Sequence, residues 1–519
     1  MPEYLAPGVY IEEIERGPRL IEGVPTSTAA FLGETERGQI EPRLVTSYEE
    51  FQRWFGGVFG DDKLLPYAAN GFFENGGKRL YVCRVVGKAA TPAQAVFGDF
   101  TVRAIGPGAW GKRIWARIDN SSRQAPDAGG EPNPVGLRLR LAYWAMVPAN
   151  FQPFDPFDAA NADRLPRPLL TEDFDDLEVD ATSPDGLERR LRDSSTLAML
   201  VPNPGAPPGA KPANGSQALT QNGIDDLNPL DAADYEGNVA GNRTQLQGLA
   251  ALETDPYRDV ALVYAPAVAV DVARSIIRHC ERMRFRFAVI DAERGVTTLS
   301  ALDPRSNVED TPHAAFYYPW IQIADPQTGA RRLVPPGGHV LGIYARVDSE
   351  RGVFKAPANE IVRDVLQLET DITDKAQDVL NPRGVNAIRS FRGRGIRVWG
   401  ARTLSSNALW KYINVRRLFM YLERSIYVGT QWVVFEPNDS RLWARLTNTI
   451  REFLYRQWRD GTLVGSTEEE AFFVTCDQTT MTQDDILSGR LICEIGIAPV
   501  RPAEFVVFRI VQNTAEAEG

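Results

Sequence analysis

The chain has 519 residues, of which 43% are hydrophobic and 24% are charged, with a formal net charge of −11 at pH 7. This length exceeds what one hydrophobic core supports, so we expect two to four domains of ordinary globular composition. The composition argues against membrane insertion, because the longest nearly apolar run, residues 261–270, is far shorter than the roughly 20 residues of a membrane span.

Residues 1–22 are predicted to be an extended N-terminal arm with one strand-like piece at residues 8–14. The surrounding Pro and Gly residues and the small size leave this segment without a core of its own. It is either a frayed terminus or an arm that adds a strand to another sheet. The second interpretation depends on its apolar side chains, which are Val9, Tyr10, Ile11 and Ile14.

An α/β middle domain is predicted for residues 23–98 and 235–365. Ser47 with Glu50 forms a capping box that opens a helix, and a strand–helix–strand unit around residues 259–291 predicts a parallel sheet. The predicted strands are residues 29–33, 79–86, 259–265, 286–291 and 311–324, and further helices are residues 67–75, 268–284 and 338–347.

Residues 99–234 interrupt this pattern and are predicted to be an inserted, β-rich outer domain. Leu137, Leu139 and Leu141 alternate with arginines, as expected of a half-exposed strand. Two stretches rich in Pro, Gly, Ala and Asn, residues 121–134 and 202–216, are predicted to be mobile, outward loops.

Residues 366–503 are predicted to form a C-terminal domain with strands and two amphipathic helices. Ser405, Ser406 and Asn407 predict a cap before a helix that ends near residue 427, and Asp439 predicts a second helix that ends at Gly461. The expected strands are residues 381–391, 471–476, 490–498 and 504–511.

The last of these strands belongs to a terminal segment, residues 504–519, that has little of its own chain left to cover it. It is apolar on both faces, through Phe505, Val507, Phe508 and Ile510. We therefore expect it, like the N-terminal arm, to pair with another sheet.

Basic residues concentrate between residues 383 and 460. That stretch contains fifteen basic and five acidic side chains, a net charge of +10, so the remainder of the chain carries −21. The asymmetry predicts either a surface that seeks an acidic partner or a solvated face with internal ion pairs. The candidate contact residues are Arg441, Arg445, Arg456 and Arg459. Nucleic-acid binding is the weaker alternative, because no aromatic–basic interleaving accompanies the arginines.

An enzyme is the rival class of function. Asp291 follows a predicted strand, where α/β folds place catalytic carboxylates, but the glycine fingerprint of a phosphate loop is missing and a helix-capping role is favoured. His279, His313 and His339 lack metal-ligand spacing, so we expect no metal or cofactor and no catalytic activity. The four cysteines, Cys83, Cys280, Cys476 and Cys493, are interpreted as buried thiols of a protein made in a reducing cytoplasm.

Several motifs resemble those of contractile tail sheath proteins, the family of phage tail, R-type pyocin and extracellular injection-system sheaths. The C-terminal motifs are Asn381-Pro-Arg-Gly-Val-Asn, Gly395-Ile-Arg-Val-Trp-Gly-Ala-Arg-Thr, Tyr412-Ile-Asn-Val-Arg-Arg-Leu and Phe435-Glu-Pro-Asn. The N-terminal motifs are Tyr4-Leu-Ala-Pro-Gly-Val-Tyr-Ile and Gly23-Val-Pro-Thr-Ser-Thr-Ala.

The resemblance implies an α+β multidomain subunit with an inner, tube-facing C-terminal domain that strands from neighbouring subunits complete. It implies self-assembly into a sixfold helical sheath around an inner tube protein, with baseplate proteins, terminator or cap proteins and paralogous sheath proteins as partners. The sheath would assemble in the cytoplasm of the producing bacterium and then form part of a phage or phage-tail-like particle.

Overall fold

The computed structural model describes residues 20–126, 132–148, 150–180, 183, 186–192, 194–237 and 247–505. The chain divides into two compact units: Pro25–Arg416, and a second that combines Met1–Val24 with Arg417–Gly519. Among the described residues, each helix is too short or too polar to span a lipid bilayer. The strand residues Val9, Tyr10, Ile11, Ile14, Val507, Phe508 and Ile510 lie outside the described residues.

The strands of the described residues are, in chain order, β1 (Ala29–Gly33), β2 (Arg43–Val45), β3 (Leu80–Arg84), β4 (Thr91–Phe97), β5 (Phe100–Ala104), β6 (Ile114–Asn120), β7 (Gln124–Pro126), β8 (Pro132–Pro134), β9 (Leu137–Tyr143), β10 (Leu170–Leu177), β11 (Ala198–Pro202), β12 (Gly215–Ala218), β13 (Gln221–Ile224), β14 (Leu262–Tyr264), β15 (Phe287–Asp291), β16 (Ala314–Tyr318), β17 (Ile321–Ala324), β18 (Arg331–Val334), β19 (Gln367–Leu368), β20 (Val385–Phe391), β21 (Gly395–Trp399), β22 (Phe472–Thr475) and β23 (Glu494–Ile497).

The helices of the same residues are α1 (Tyr48–Phe55), α2 (Leu65–Glu74), α3 (Leu187–Arg192), α4 (Ala232–Glu236), α5 (Gly248–Leu252), α6 (Val270–Met283), α7 (Pro304–Asn307), α8 (Gly337–Glu350), α9 (Asp374–Leu380), α10 (Ile413–Gly429), α11 (Ser440–Arg459), α12 (Glu468–Ala471) and α13 (Gln483–Leu487).

An eight-stranded sheet organises the Pro25–Arg416 unit, with strand order β2-β3-β1-β14-β15-β16-β20-β21. The six inner strands run parallel, and β2 and β21 are antiparallel edge strands. The predicted parallel strand–helix–strand unit is confirmed as β14–α6–β15. β20 and β21 join this sheet although the sequence analysis assigned them to the C-terminal domain; the domain boundaries themselves remain a prediction.

Both faces of this sheet are covered, which explains why its inner strands are continuous apolar runs. Ala30 and Leu32 of β1 share a core with α6, whereas the ring of Phe31 points to the other face, 5.3 Å from the ring of Phe72 on α2. Tyr317 on that second face meets the hydroxyl of Tyr344 on α8 at 2.8 Å. The sheet is therefore the middle of three layers.

A β-sandwich interrupts this unit between β3 and α5. One sheet has the order β10-β9-β6-β12 and the other β11-β5-β4-β13, and the two share one apolar core. The alternation predicted for Leu137, Leu139 and Leu141 is confirmed, since all three are buried in that core. The outward Arg138 donates to Asp173 on the neighbouring strand at 2.8 and 2.6 Å.

Acidic side chains brace the chain where it enters and leaves the sandwich. Asp226 accepts a hydrogen bond from the backbone of Ala89 at 3.0 Å, and Asp225 accepts one from Ala109 at 2.9 Å. These contacts lie at one side of an open cleft of about 1470 Å³ within this unit. The carboxylates of Asp225 and Asp226 in this cleft thus hold the polypeptide backbone through hydrogen bonds.

The second unit is built on α11 and on the part of α10 that follows residue 416. Asp439 caps α11 by accepting from the backbone of Leu442 at 2.9 Å, as predicted, and Gly461 follows the helix end with a positive φ of 77°. The buried side of α11 includes Leu442, Leu446, Ile450, Phe453 and Leu454. The short strands β22 and β23 form a separate antiparallel pair.

Several predicted boundaries are wrong. The Asn407 cap opens a single turn at Ala408–Trp410, and α10 begins only at Ile413. The region predicted as one strand at residues 311–324 is two strands, β16 and β17, in different sheets.

Two further predictions also differ from the structure. The strand predicted at residues 490–498 begins at Glu494, because Arg490 donates its backbone N–H to Asp485 at 2.8 Å in the turn after α13. The first loop-like stretch contains β7 and β8, which pair with each other, whereas residues 203–214 of the second lie outside the named strands, between β11 and β12.

Candidate functional site

Residues 21–24, where the chain emerges from the N-terminal arm, are fixed to α10 and α11. Arg456 donates a hydrogen bond to the carbonyl oxygen of Ile21 at 3.0 Å, and the backbone N–H of Val24 donates to Ser425 Oγ at 3.1 Å. The Ile21 side chain is buried. It lies so close to Gly429 that a Cβ atom there would stand 2.7 Å from Ile21 Cγ1. The arm is therefore anchored at its C-terminal end within this unit.

The four candidate contact arginines lie on one face of α11, because their spacings of four, eleven and three residues return to nearly the same direction at 100° per residue. This face is opposite the buried stripe of the helix. It spans about 27 Å from Arg441 to Arg459 at 1.5 Å per residue. We call Arg441, Arg445, Arg456 and Arg459 the basic stripe.

Two side chains of the basic stripe make contacts within their own unit, and two do not form ion pairs among the described residues. Arg445 donates to Glu436 at 3.0 Å and stacks over Trp432 with its Cζ atom 4.6 Å from the ring centroid, while Arg456 holds Ile21. Arg441 and Arg459 are exposed, and their guanidinium groups have no ion-pair partner among the described residues. The internally paired interpretation thus fits Arg445 and Arg456, and contact with a partner stays a prediction for Arg441 and Arg459.

We call the antiparallel pair β22–β23 the β-ribbon. Among the described residues, no further strand pairs with the outer edge of either strand along most of its length. Hydrogen bonds alternate along an antiparallel pair, so the peptide groups of Val474 and Ile495 point away from the partner strand. Residues 462–464 cover one end, where Val464 donates its backbone N–H to Ala498 at 2.8 Å. Such edges are templates for a further strand.

Apolar side chains remain exposed around the β-ribbon. Phe473 is 55% exposed and its ring crosses Gly496 of the partner strand so closely that any Cβ atom there would clash. Val464 is 54% exposed, and Phe505, the one C-terminal strand residue that is described, is 73% exposed. The β-ribbon thus combines exposed apolar side chains with open strand edges.

Phe435 is an interaction candidate that sequence reasoning did not single out. It is fully exposed and adopts a left-handed backbone conformation with φ at 68°, which is rare for a bulky residue. Its neighbours are ordered: Glu436 accepts from Arg445, and Asn438 accepts from Trp443 Nε1 at 2.7 Å. Val433 and Val434 precede it, so the sequence shows an apolar run that gives no sign of this exposure.

Asp291, which the sequence offered as a catalytic carboxylate, is hydrogen-bonded within the fold. Asp291 accepts hydrogen bonds from Tyr264 Oη at 2.6 Å and from the backbone of Gly337 at 2.9 Å, so it caps α8 as expected. Burial raises the pKa of Asp291 to about 6. Its hydrogen bonds therefore join two elements of the fold.

The histidines are separated and buried. His279 lies 2.7 Å from Arg286, His313 faces the backbone of Arg286 at 3.3 Å, and His339 packs against Gly71 of α2. The described residues include no cluster of three or more His, Cys, Asp or Glu side chains that could hold a metal ion.

The structure brings Cys476 and Cys493 together, which the sequence analysis did not anticipate. The two residues follow the Thr475–Glu494 pair of the β-ribbon on facing strands; Cys476 is buried and Cys493 is half-buried. Cys83 and Cys280 are fully buried thiols, as expected. The spacing of seventeen residues gave no sign of the pair because a long connection separates the two strands.

Two protein-family models match consecutive parts of the chain. The model of the phage tail sheath protein central domain matches residues 238–404, and that of the phage tail sheath C-terminal domain matches residues 405–513. Together they span slightly more than half of the sequence, including the basic stripe and five strands of the eight-stranded sheet, β14, β15, β16, β20 and β21.

The chain is also similar in sequence to proteins that are named as tail sheath proteins. The chain is 27% identical over 328 residues to the tail sheath protein of Burkholderia phage BcepMu, covering 58% of this chain and 65% of that protein. It is 26% identical over 282 residues to a putative prophage major tail sheath protein of Pseudomonas aeruginosa strain UCBPP-PA14, covering 53% of this chain and 70% of that protein.

Two solved structures share the fold over nearly the whole length. The PVC sheath complex of an extracellular contractile injection system in its contracted state aligns with a TM-score of 0.58 at 23% identity, covering 99% of both chains. The helical sheath of the anti-feeding prophage in its contracted state aligns with a TM-score of 0.59 at 23% identity, covering 98% of this chain and 100% of the other.

Proposed function

The chain belongs to the phage tail sheath protein family, and from this premise we propose that it is the sheath subunit of a contractile tail or injection system. The subunit polymerises as a helical sleeve around a rigid inner tube, and contraction of the sleeve drives the tube through a target envelope. The continuous match to both sheath domain models over residues 238–513 carries this proposal. The role is mechanical and requires no catalytic group.

Subunits are joined by exchanged strands in this proposal. The arm at residues 8–14 and the C-terminal segment from Phe505 onward each add a strand to the β-ribbon of a neighbouring subunit. The support is the anchored C-terminal end of the arm at Ile21, the open edges of β22 and β23, and the exposed side chain of Phe473. Strand addition supplies main-chain hydrogen bonds together with apolar contacts.

The exchange must be collective. Ordering an extended segment costs about 1–2 kcal/mol per residue, which offsets much of what one short strand gains. Two exchanged segments for each subunit, repeated through a lattice, bind far more tightly than either alone. The contact is head-to-tail, which builds a helical array.

The unengaged ends of the basic stripe contact an acidic surface of the inner tube or of the next sheath subunit. Arg441 and Arg459 are placed for this role, since Arg445 and Arg456 are already engaged within their own unit. Reversal to Arg441→Glu/Arg459→Glu should abolish tube formation while leaving the thermal melt of the subunit nearly unchanged, because exposed charges contribute about 1 kcal/mol or less.

The neutral variant Arg441→Gln/Arg459→Gln is the matched control and should assemble with an intermediate yield. Normal tube yield from the double Glu variant would contradict an acidic partner surface. The remaining partners in this proposal are baseplate and terminator proteins at the two ends of the sleeve, and paralogous sheath proteins within it. The particle is assembled in the cytoplasm of the producing bacterium, around a sixfold tube.

Electron microscopy of the purified full-length protein tests the sheath function directly. Striated tubes of uniform diameter that form as the concentration rises are the expected result. A protein that stays monomeric with the tube protein present and absent would refute the proposal.

A further inference from the structure

Cys476 and Cys493 occupy facing positions at the end of the β-ribbon. Cys476 is buried and Cys493 is half-buried. The register pairs Thr475 of β22 with Glu494 of β23. The next residue after Thr475 is Cys476, and the residue before Glu494 is Cys493, so the two cysteines follow at the same end of the pair. Their side chains therefore meet on one face of the antiparallel pair.

The type of pairing at this position suits a disulfide bond. Ala498 donates its backbone N–H to Ala471 at 2.9 Å, which makes that a hydrogen-bonded pair, and the two types of pair alternate from there along the β-ribbon. Cys476 opposite Cys493 is then a non-hydrogen-bonded pair, with Cα atoms about 4.5 Å apart. Disulfides join Cα atoms roughly 4.4–6.8 Å apart, so the bond forms without moving the backbone.

A hydrogen bond beyond the cysteines holds the two segments of the β-ribbon together. Thr480 Oγ1 donates to the carbonyl oxygen of Ile492 at 2.8 Å. The two cysteines thus lie between the strand ladder on one side and this hydrogen bond on the other.

We propose that Cys476 and Cys493 are a modification site that a small-molecule disulfide oxidant closes into an intrachain disulfide once the protein leaves a reducing compartment. The closed ring clamps the end of the β-ribbon and fixes the register of the two strands whose edges remain open. Disulfide closure requires only the folded subunit, and it does not depend on polymerisation.

The reaction is two successive thiol–disulfide exchanges. The thiolate of Cys493, the more exposed of the two, attacks one sulfur of the oxidant, forms a mixed disulfide and releases one reduced thiol. The thiolate of Cys476 then attacks Cys493 Sγ, which forms the intrachain bond and releases the second thiol. Two protein thiols lose two protons and two electrons, and the oxidant disulfide takes them up as two thiols.

Closure is expected to be slow at neutral pH and faster in mild base. Burial is the main cause that raises the pKa of Cys493, to about 12, and it also raises the pKa of Cys476. Because the thiolate is the attacking species, the rate should rise about tenfold per pH unit between pH 7 and 9. A rate that is independent of pH would contradict attack by these thiolates.

The experiment treats the native full-length protein with oxidised glutathione and counts thiols after denaturation. The count should fall from four per chain to two. Proteolysis without reductant should then yield a cross-linked peptide containing Cys476 and Cys493, while Cys83 and Cys280, both 0% exposed, stay reduced. A count that stays at four, a glutathione adduct that persists on Cys493, or a bond involving Cys83 or Cys280 would overturn the proposal.

The variant Cys493→Ser supplies the matched control. Oxidation should raise the thermal unfolding temperature of the wild-type protein, because the ring restricts the unfolded chain, and should leave that of Cys493→Ser unchanged. An equal rise in the variant would show that the oxidant acts elsewhere. The peptide map of the wild-type protein needs no substitution, so it decides the question even if the variant folds poorly.

Discussion

At the scale of single residues, the buried polar side chains of this protein hold elements of the fold together. Asp291 links the end of β15 to the first turn of α8, and Arg286 donates to the carbonyl oxygens of Leu252 and Tyr257 at 2.7 and 2.8 Å. A histidine in such surroundings must stay uncharged, which makes its protonation a destabilising event.

His339 gives the clearest case. Its side chain is fully buried, neither ring nitrogen has a hydrogen-bond partner among the described residues, and burial lowers its pKa to about 4. In the unfolded chain the pKa is about 6.5, so between pH 6.5 and 4 the unfolded state binds the proton more tightly. The stability contributed by neutral His339 is therefore present above pH 6.5 and is lost as the pH falls toward 4.

Replacement by His339→Leu should remove this titration. Relative to the wild type, the free energy of unfolding of the variant should rise by up to about 1.4 kcal/mol for each pH unit below 6.5. Urea unfolding of both proteins at pH 7 and pH 5 measures the difference. A stability difference that is the same at both pH values would contradict the assignment, whatever its size at pH 7.

Phe435 is the residue whose conformation and exposure most need a partner. Asn adopts the left-handed conformation more readily than Phe, so Phe435→Asn should leave the thermal stability of the monomer unchanged or slightly higher. Tube formation seen by microscopy should be impaired, because an apolar anchor is lost. Leu227→Asn, at a side chain that is 94% exposed in the other unit, is the comparison and should assemble normally.

At the scale of elements, α11 combines two roles on one helix. Its buried side supports the second unit, while Arg456 on its exposed side holds the backbone of Ile21 at 3.0 Å. The helix therefore sets the point from which the N-terminal arm departs.

The variant Arg456→Met should loosen this anchor. Loss of the hydrogen bond, worth about 1 kcal/mol at a partly exposed site, should speed amide exchange at Val24 and its neighbours roughly fivefold. Arg459→Met, on the same face and without a described partner, should leave the exchange unchanged. Hydrogen-exchange mass spectrometry of the peptide covering residues 20–27 makes the comparison, and equal exchange in both variants would contradict an anchoring role.

The elements differ in how well sequence predicts them. β1, α11 and the β14–α6–β15 unit could be predicted because their apolar spacing and caps are local signals. That β20 joins β16, and that Cys476 meets Cys493, could not, since the pairing partner of a strand is set by tertiary packing. The exposure of Phe435 is likewise hidden in the sequence, where an apolar residue in a motif suggests a core position.

At the scale of the whole molecule, the sheath function could be predicted from the order of motifs along the chain. The contact residues were harder to assign, because an arginine engaged within its own chain and one awaiting a partner have the same sequence signature. Arg456 and Arg459 illustrate this, three residues apart on one face. The proposed strand exchange concerns the assembly, which one chain does not contain.

Deletion of residues 1–14 tests the central claim, that subunits are joined by donated strands, most directly. Thermal unfolding and negative-stain microscopy are applied to the truncated protein, with Val9→Pro/Ile11→Pro as a full-length counterpart that removes a ladder hydrogen bond without shortening the chain. The account predicts a cooperative melt close to that of the intact monomer and an absence of tubes in both proteins. Normal tubes, or a truncated subunit that no longer folds, would contradict it.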